Sequence, residues 1–358
     1  MKPTVFLGAT TLAPGNGGIG RVARMSASAL LQDRYRVDMV TLLDKPPMKF
    51  QGQQVRACGG GKLAFAAHCH AAALGQKEFL YDSAGPARAH PRFPGLRRRY
   101  AVWIHGIEVW GVPVLRPDYV AAVRRADLVL VNSQYTLRRA EQNIGPLPQA
   151  RVCWLATEQD EAAAPAMDDG PPTALILGRM DETESYKGHG ELIAAWEQVI
   201  SAVPAARLLI AGGGSGLAAL RAQAAASPAA QNIDIPGFIA EAEIENLWQK
   251  ASVFAMPSRG EGFGLVYIEA MRHGLPVIAS AHDAGQEVNV DGQTGFNVSL
   301  DRQGELAARL IMLLGDADLR RRMGAAGQKH WREHFRFTVF KDRFLPLMKG
   351  RSQNHELV

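Results

Sequence analysis

The stretch that decides the fold is residues 258–271, which read SRGEGFGLVYIEAM. It follows an apolar run, Val253 to Met256, that is typical of a buried strand, and it passes into a helical pattern that Gly274 ends. A loop of small residues between a strand and a helix leaves the first N–H groups of the helix without acceptors, and such amides bind anions. Glu261 lies in the predicted loop and Glu269 on the predicted helix, where their carboxylates would accept hydroxyl groups of a phosphate-bearing ligand. The alternative is a surface loop with two solvated glutamates.

Strand and helix patterns alternate on both sides of this stretch. Such alternation indicates a parallel sheet that helices cover on both faces. Residues 155–173 are rich in Glu, Asp, Ala and Pro and are typical of a linker. We therefore predict two doubly wound α/β domains that face each other across a cleft, with ligands at the carboxyl ends of the strands. The predicted strands are Thr4 to Gly8, Arg36 to Leu43, Glu78 to Asp82, Ala101 to Ile104, Leu128 to Asn132, Ala174 to Gly178, Arg207 to Gly212, Ile233 to Ile235, Val253 to Met256, Pro276 to Ala279 and Phe296 to Val298.

Length and composition are those of a soluble globular protein. The chain has 358 residues, of which 47% are hydrophobic and 21% charged, which suits two domains with large cores. No run of about 18 apolar residues and no signal peptide is visible, so we expect a cytoplasmic protein. Its three cysteines are scattered and odd in number, which argues against a disulfide framework.

Charge is distributed unevenly along the chain. Residues 1–152 carry 21 Lys and Arg against 9 Asp and Glu, a net +12, whereas the rest of the chain is acidic. This asymmetry predicts an anionic partner for the first domain, or simply a basic solvated face. No nucleic-acid module is recognisable, and an anionic membrane surface fits as well or better. Candidate contacts are Arg97-Arg98-Arg99-Tyr100 and Arg124-Arg125.

A glycine loop follows the first predicted strand. Gly15, Gly17 and Gly20 match the dinucleotide fingerprint in spacing, and Asp44 stands where a ribose-binding acid would lie. This pattern would suggest an oxidoreductase that uses NAD(P). The loop delays the glycines past the tight turn that the fingerprint requires, so we also consider that they let the backbone approach a pyrophosphate held by the other domain. A purely structural loop is the third reading.

Three further side chains follow predicted strands. Arg179 and Lys187 lie at the mouth of one strand end, where two cations suit a diphosphate whose charge grows as a nucleotide departs. His105 follows the Ala101 to Ile104 strand, where it would donate to a substrate hydroxyl or carbonyl group. The alternatives are solvated cations and a structural histidine.

Metal binding has little support in the sequence. His68-Cys69-His70 would bring its two histidines to one face of a strand, but no further ligands cluster nearby. Asp316-Ala317-Asp318 has the spacing of a metal-binding pair, yet its position between helical patterns favours a helix N-cap. We therefore expect no metal site and no resident cofactor.

Taken together, these segments resemble the retaining glycosyltransferases of family 4, which have the GT-B fold. The resemblance covers nearly the whole chain. The opening stretch resembles the E-x7-E region of that family, and Leu177-Gly178-Arg179 with Lys187-Gly188 resembles its "GR…KG" segment. The other matching segments are Gly15-x-Gly17-Gly18, His105-Gly106-x-Glu108, Ala126-Asp127 to Ser133, and Asp291-Gly292-x-Thr294-Gly295-Phe296.

The resemblance implies a nucleotide-sugar donor, linked to UDP or GDP, and a retained linkage without a bound metal. Arg179 and Lys187 would bind the diphosphate, and Glu269 the ribose. The donor sugar and its phosphate would be held by Glu261 and by the backbone of Phe263, Gly264 and Leu265. The base would lie against Gly237, Phe238 and Ile239. From the first domain, the groups that reach the donor would be Gly17, Gly18 and His105.

The resemblance also implies a division of labour along the chain. Residues 1–165 would bind the acceptor, residues 166–335 would bind the nucleotide-sugar, and residues 336–358 would form a helix that crosses back to the first domain. The acceptor would be a saccharide or a lipid-linked saccharide of surface polysaccharide or lipopolysaccharide synthesis, met at the inner face of the membrane. Alternatives are another GT-B enzyme, the NAD(P)-dependent oxidoreductase, and a sugar-nucleotide-binding subunit without catalytic activity.

Overall fold

A computed structural model describes residues 3–15, 17–75, 77–93, 95–96, 98–110, 115–164 and 170–350. The contacts within the chain divide it into two compact units, Met1–Glu158 with Phe337–Val358, and Gln159–Arg336. The division falls between Glu158 and Gln159, seven residues before the boundary that the sequence suggested. Part of the predicted linker, residues 165–169, lies outside the described residues.

The first unit is built on an eight-stranded sheet. Its order is β3-β4-β2-β1-β5-β6-β7-β8, and every neighbouring pair is parallel except β3 with β4. The strands are β1 Thr4–Ala9, β2 Arg36–Thr41, β3 Met48–Phe50, β4 Gln53–Ala57, β5 Glu78–Tyr81, β6 Tyr100–Ile104, β7 Leu128–Val131 and β8 Ala150–Val152. The helices between them are α1 Gly17–Gln32, α2 Lys62–Ala73, α3 Ala84–Ala87, α4 Pro117–Arg124 and α5 Gln134–Ile144.

The second unit is built on a six-stranded parallel sheet of order β11-β10-β9-β12-β13-β14. Its strands are β9 Thr173–Leu177, β10 Arg207–Ala211, β11 Ile233–Gly237, β12 Val253–Ala255, β13 Val277–Ser280 and β14 Gly295–Val298. Its helices are α6 His189–Ala202, α7 Leu217–Ala225, α8 Glu241–Lys250, α9 Leu265–Arg272, α10 Gly285–Val288, α11 Glu305–Gly315 and α12 Ala317–His334, with 3-10 turns at Glu182–Lys187 and Ala230–Asn232.

The last helix, α13 Phe337–Lys349, belongs to the first unit. Phe340 and Phe344 are fully buried, and their rings stack on each other at 5.4 Å and on Trp103 of β6 at 6.2 Å each. Aromatic pairs at such separations stabilise a core beyond the area they bury. The end of the chain therefore contributes side chains to the core of the first unit.

The apolar runs form strands because both faces of each parallel sheet are covered. β6 and β7 are buried at every position, and the same holds for β12 and β13. Continuous apolar runs, rather than alternating ones, are what a parallel sheet buried on both faces requires. All eleven predicted strands are confirmed to within two residues at either end.

Other predictions about single elements had mixed outcomes. The sequence also predicts Ser133, just before a helical pattern, as an N-cap. Ser133 and Asp316 are both confirmed as N-caps, since their side chains accept from Thr136 N at 3.0 Å and from Leu319 N at 2.9 Å. After the glycine loop the sequence predicts a helix from about Arg21 to Gln32, and its start is wrong, because α1 begins at Gly17. Among the helices of the described residues, none is both long and apolar enough to cross a membrane.

Candidate functional site

The second sheet has a point where its strand order reverses. From β9 the chain adds β10 and β11 on one side, and it then returns to place β12 on the other side of β9. Loops leave such a switch point in opposite directions and open a crevice at the carboxyl ends of the strands. Residues 178–188 follow β9 and residues 256–264 follow β12, so the segments singled out in the sequence meet at this switch point.

Asp283, which the sequence analysis did not consider, holds the loop after β12 in place. Its carboxylate accepts from Glu261 N at 2.9 Å and from Gly285 N at 2.8 Å. Burial raises the pKa of Asp283 to about 6, although these bonds and others from Ser258 and Gly260 work in the opposite direction. The side chain is fully buried, so its hydrogen bonds fix the backbone position from which Glu261 projects.

Gly264 turns this loop into α9. Its φ of +85° is left-handed, and a Cβ there would overlap the ring of Tyr267, whose hydroxyl donates to Met256 O at 2.7 Å. Among the described residues, the N–H groups of Phe263, Gly264 and Leu265 have no acceptor within hydrogen-bonding reach. The amides without acceptors that the sequence predicts are therefore found at the start of α9.

Phe263 itself does not project toward a ligand. Its side chain is buried, with its ring edge-on to Phe335 at 6.1 Å. This agrees with the expectation that its backbone, not its ring, serves the donor.

Glu269 lies one turn into α9 and is half-buried.

The two predicted cations share one carboxylate. Arg179 and Lys187 both pair with Glu184, and the distance from Lys187 Nζ to Glu184 Oε2 is 2.5 Å. The Lys187 side chain is only 10% exposed and runs beside Gly178, where a Cβ would lie 3.8 Å from its Nζ. Arg179 is 67% exposed. One cation is thus nearly buried at the end of β9, whereas the other is largely exposed.

Glu261 lies close enough to these cations for their charges to affect its pKa. Burial raises the pKa of Glu261 to about 7, with Lys187 lowering it, Asp283 and Glu184 raising it, and Arg179 lowering it. Glu261 therefore lies within electrostatic reach of Lys187 and Arg179.

The ends of β10 and β11 support this site from the other side of β9. A Cβ on Gly214 would lie 2.5 Å from the carbonyl carbon of Met180, and Met180 N donates to Gly213 O at 2.9 Å. Only glycines allow the two loops to pack this closely. Gly237 ends β11 with a φ of +92°, Phe238 after it is 81% exposed, and Ile239 is half-buried.

The first sheet has its own switch point between β1 and β5. Asp82 lies there, fully buried, and accepts from Thr10 N at 2.6 Å, from Thr10 Oγ1 at 3.2 Å and from Ser83 Oγ at 3.1 Å. Burial raises the pKa of Asp82 to about 7 against the effect of these bonds, and the charge of Glu108 raises it further. The carboxylate therefore joins the loops that follow the two strands.

His105 follows β6, the strand next to β5. Its Nε2 lies 2.7 Å from Asp82 O, and because a carbonyl can only accept, Nε2 carries the hydrogen. Glu108 caps the turn by accepting from His105 N at 2.9 Å and from Gly106 N at 3.1 Å. Nδ1 is therefore the ring nitrogen of His105 that remains for a substrate group.

The glycine loop after β1 does not have the geometry of a dinucleotide fingerprint. Asp44 is buried, and its two oxygens accept from Thr11 Oγ1 at 2.5 Å and from Leu12 N at 2.8 Å. Both oxygens of this buried carboxylate thus hold the loop after β1, which gives Asp44 a structural role and no support to the ribose-binding one. Gly17 and Gly18 are exposed in the first turn of α1, and a Cβ on Gly17 would meet open space.

The histidine pair considered as a metal site lies on a helix. His68 and His70 belong to α2, where residues two apart point in different directions, so the strand prediction for this segment is wrong. The helix also contains six alanines between residues 64 and 73 that favour helical structure. Within the described part of the chain, no group of three or more His, Cys, Asp or Glu side chains is arranged to hold a metal ion.

Two carboxylates of the second site escaped the sequence analysis. Asp283 lies a few residues after the predicted strand of residues 276–279. A carboxylate at the end of a strand is a position from which the sequence could have identified it. Glu184 stands among three other polar residues, where nothing in the sequence distinguishes it from a solvated side chain.

A family model described as "Glycosyl transferases group 1" matches residues 157–330. Over 264 residues the chain is 31% identical to the GDP-mannose-dependent monoacylated alpha-(1-6)-phosphatidylinositol monomannoside mannosyltransferase of Corynebacterium glutamicum, covering 69% of this chain and 68% of that protein. Over 273 residues it is 29% identical to the corresponding phosphatidylinositol monomannoside mannosyltransferase of Mycolicibacterium smegmatis, covering 72% and 71%.

Solved structures share the fold. Sucrose-phosphate synthase from Thermosynechococcus elongatus superposes with a TM-score of 0.82 at 21% identity and covers 99% of this chain and 100% of that one. The Anabaena protein HepE, solved with UDP and glucose, superposes with a TM-score of 0.78 at 18% identity and covers 98% and 100%. The predicted GT-B fold class is confirmed, and these relatives give no support to the oxidoreductase alternative.

Proposed function

The chain belongs to the group 1 glycosyl transferases, that is, glycosyltransferase family 4, and from this membership we propose that it transfers mannose from GDP-mannose to a lipid-linked acceptor. It is a retaining glycosyltransferase that uses a nucleotide-sugar. The choice of GDP-mannose rests on relatives named for that donor. The proposed acceptor is a mannosylated inositol phospholipid or a similar lipid-linked saccharide, which the first unit would bind.

One observation carries the proposal. At the switch point of the second sheet, Lys187 lies beside Gly178, within electrostatic reach of Glu261, and three amides at the start of α9 lack acceptors. A buried cation and convergent N–H groups are what a diphosphate requires. Two neighbouring carboxylates supply acceptors for sugar and ribose hydroxyls.

We assign the donor groups as follows. The amides of Phe263 to Leu265 receive the phosphate, Glu261 binds the transferred sugar, and Glu269 binds the ribose. The exposed ring of Phe238, with Gly237 and Ile239, lies against the base, because a flat ring stacks on a nucleobase. Gly17 and Gly18 approach the diphosphate from the first unit, where a backbone without side chains allows close contact.

In the proposed reaction the bond between sugar C1 and the β-phosphate oxygen breaks, and the acceptor oxygen bonds to C1 on the same face. The acceptor proton passes to the departing phosphate oxygen, so that charges balance. Lys187 and Arg179 stabilise the charge that grows on GDP, which is where preorganised charges contribute most. Nδ1 of His105 accepts from a hydroxyl of the sugar. No bound metal and no resident cofactor take part, and transfer should persist in EDTA.

The test is a transfer assay with purified protein. GDP-mannose and a panel of UDP-sugars are each offered with a detergent-dispersed mannosylated phosphatidylinositol, and the product is identified by mass spectrometry, with its anomeric configuration from NMR. We expect mannose transfer from GDP-mannose with an α linkage. Transfer from UDP-sugars alone would overturn the donor, and a β-linked product would overturn retention.

A further inference from the structure

Arg24 of α1 differs from the surface cations of the basic first unit. Of the segments expected to contact a membrane, Arg124-Arg125 is exposed and Arg97 lies outside the described residues. The Arg24 side chain is only 11% exposed. Its Nε and Nη2 donate to the two carboxylate oxygens of Glu158 at 2.8 and 2.9 Å, and its Nη1 donates to Ala13 O at 3.0 Å. A guanidinium bound through all three nitrogens has one orientation, because its donors form a rigid fork.

The backbone that Arg24 binds belongs to the loop after β1. Ala13 lies in this loop, two residues before its first glycine. Carboxylates hold the preceding residues 10–12, through the bonds of Asp82 and Asp44 described above. Four consecutive residues of the loop are therefore bound by side chains from other parts of the first unit, which is how a loop is held in one position.

Gly20, the third glycine of the motif found in the sequence, leaves room for this contact. A Cβ at this position would lie 3.1 Å from the methyl carbon of Thr11 and 3.8 Å from Nη1 of Arg24. Gly20 lies within α1 and has no positive φ. The glycine is therefore needed for the close approach of the loop to α1, not for its backbone conformation.

Glu158 is the last residue of the first unit. Its carboxylate also lies 3.7 Å from Nε of Arg21, so two arginines of α1 face it. A bidentate bond between a guanidinium and a carboxylate is stronger than a bond between neutral groups, since both partners are charged. Glu158 therefore fixes Arg24, and Arg24 fixes the loop.

We propose that Arg24 is a positioning residue for the transfer reaction: held by Glu158, it sets the position of the glycine loop from which Gly17 and Gly18 approach the donor diphosphate. The inference rests on the proposed function, in which these two glycines meet the diphosphate. Arg24 acts through Ala13 O and not on a substrate. Misplacing a group that contacts the substrate by about 1 Å can cost about 10²-fold in rate, so a loosened loop should be visible in the kinetics.

The first test is hydrogen exchange of the protein without ligands. In Arg24→Ala and Arg24→Lys, peptides covering residues 10–24 should exchange about tenfold faster than in wild type, because local opening of the loop becomes easier. Peptides from β6 should be unchanged. Lys341→Ala is the matched control, because its Nζ donates to Gln32 Oε1 at 3.3 Å and so holds the other end of α1. It should exchange as wild type over residues 10–24.

The second test is transfer kinetics with GDP-mannose and a detergent-dispersed acceptor. Arg24→Ala and Arg24→Lys should both lower kcat/KM for GDP-mannose by about 10- to 100-fold. Lysine keeps the charge, but its single ammonium group cannot bind Ala13 O and both oxygens of Glu158 in the geometry of the guanidinium. Arg24→Lys should therefore have a thermal unfolding midpoint closer to wild type and still have a reduced kcat/KM. A purely structural role predicts instead that activity follows stability.

Glu158→Gln tests whether the glutamate acts through Arg24. An amide offers one acceptor oxygen in place of two, so kcat/KM should fall less than in Arg24→Ala. Added to Arg24→Ala it should change kcat/KM little further, because residues of one hydrogen-bonded network are not additive. Additive losses would show that the two residues act separately, which would overturn the role of Glu158.

Two results would overturn the positioning role of Arg24. They are unchanged exchange over residues 10–24 in both Arg24 variants, and an equal change in Lys341→Ala, which would assign the effect to α1 as a whole. Faster exchange with unchanged kcat/KM would overturn the link between the loop and transfer. If wild type transfers from no nucleotide-sugar, the proposed function is wrong, and exchange of the ligand-free loop still decides whether Arg24 holds it. If Arg24→Ala fails to fold, Arg24→Lys decides.

Discussion

The environment of Lys187 favours binding of a diphosphate over a purely structural role. Its side chain is nearly buried beside the end of β9, and its partner Glu184 also pairs with Arg179. Arg179 also lies 3.9 Å from Asp181 Oδ2, so the two cations face two carboxylates. A bound diphosphate would compete with these carboxylates for Lys187 and Arg179.

Lys187→Ala should therefore reduce kcat/KM for transfer by about 10²- to 10³-fold, the usual cost of removing one group that stabilises transition-state charge. The thermal unfolding midpoint should change little. Lys250→Ala, at the exposed end of α8, is the matched control and should retain activity. Full activity in Lys187→Ala would contradict the assigned role.

Glu269→Ala should also lose most transfer activity while the protein remains folded.

Glu261 makes the free energy of unfolding of the second unit depend on pH. Its folded-state pKa is about 7, raised by burial, whereas its ordinary value is 4.5. Between these values the folded state binds more protons than the unfolded state, so the free energy of unfolding falls as pH rises from about 5 to about 7.

Glu261→Gln cannot ionise, so its stability should fall less over this range. Over this range we expect the free energy of unfolding of wild type to fall by about 1 to 3 kcal/mol more than that of Glu261→Gln, a value reduced from the full shift because the side chain is only partly buried. Urea unfolding at several pH values measures it, with Glu243→Gln on the exposed face of α8 as the control. Parallel pH profiles for Glu261→Gln and wild type would contradict a raised pKa.

For single residues, the sequence identified candidate site side chains where they lie in the loop after a buried strand. Arg179, Glu261 and His105 were found for that reason. Asp283 and Glu184 were missed because their importance lies in what they bind, and hydrogen bonds between distant loops leave no pattern in the sequence.

The loop from β12 to α9 shows how an element depends on one backbone conformation. Gly264 has a left-handed φ, and the Tyr267 ring occupies the position of any side chain. The amides of Phe263, Gly264 and Leu265 keep their position at the start of α9 only if this turn is kept.

Gly264→Ala should therefore destabilise the second unit by about 2 to 4 kcal/mol, from backbone strain together with the displaced ring. Gly292→Ala is the matched control, because its φ is +71° but open space surrounds it, and it should cost about 1 kcal/mol. Chemical denaturation compares the two. If both substitutions lowered the free energy of unfolding equally, the ring of Tyr267 would not constrain the turn, which would contradict the prediction.

Edge elements were the hardest to predict. β3 and β4 form an antiparallel hairpin at the edge of the first sheet, with a turn at Gln51-Gly52 where both residues have positive φ. Most of their residues are exposed or half-buried, so they lack the apolar runs that identified the central strands. The helix α2 was misread because its outward face is apolar, which removes the periodic pattern of an ordinary surface helix.

At the scale of the whole chain, the first unit depends on residues from both ends of the sequence. Trp103 of β6 stacks against Phe340 and Phe344 of α13. This dependence was implied by the family resemblance alone, because amphipathic pattern does not reveal which domain a terminal helix contacts.

Phe344→Ala should lower the stability of the first unit by about 3 to 5 kcal/mol, the usual cost of emptying a buried aromatic site. Hydrogen exchange should accelerate in peptides from α1 and β6 and remain unchanged in β9 and β12. Phe93→Ala, at an exposed position, is the control and should alter neither. Equal acceleration in both units would contradict their separate cores.

Hydrogen exchange with and without GDP tests the central claim most directly, namely that the nucleotide-sugar is held at the switch point of the second sheet. Calorimetry first establishes that GDP is bound. We predict that bound GDP slows exchange in peptides covering residues 178–188 and 259–269, because the amides of Phe263 to Leu265 gain acceptors. Unchanged exchange in residues 259–269 with GDP bound, or protection confined to residues 10–24, would contradict the account.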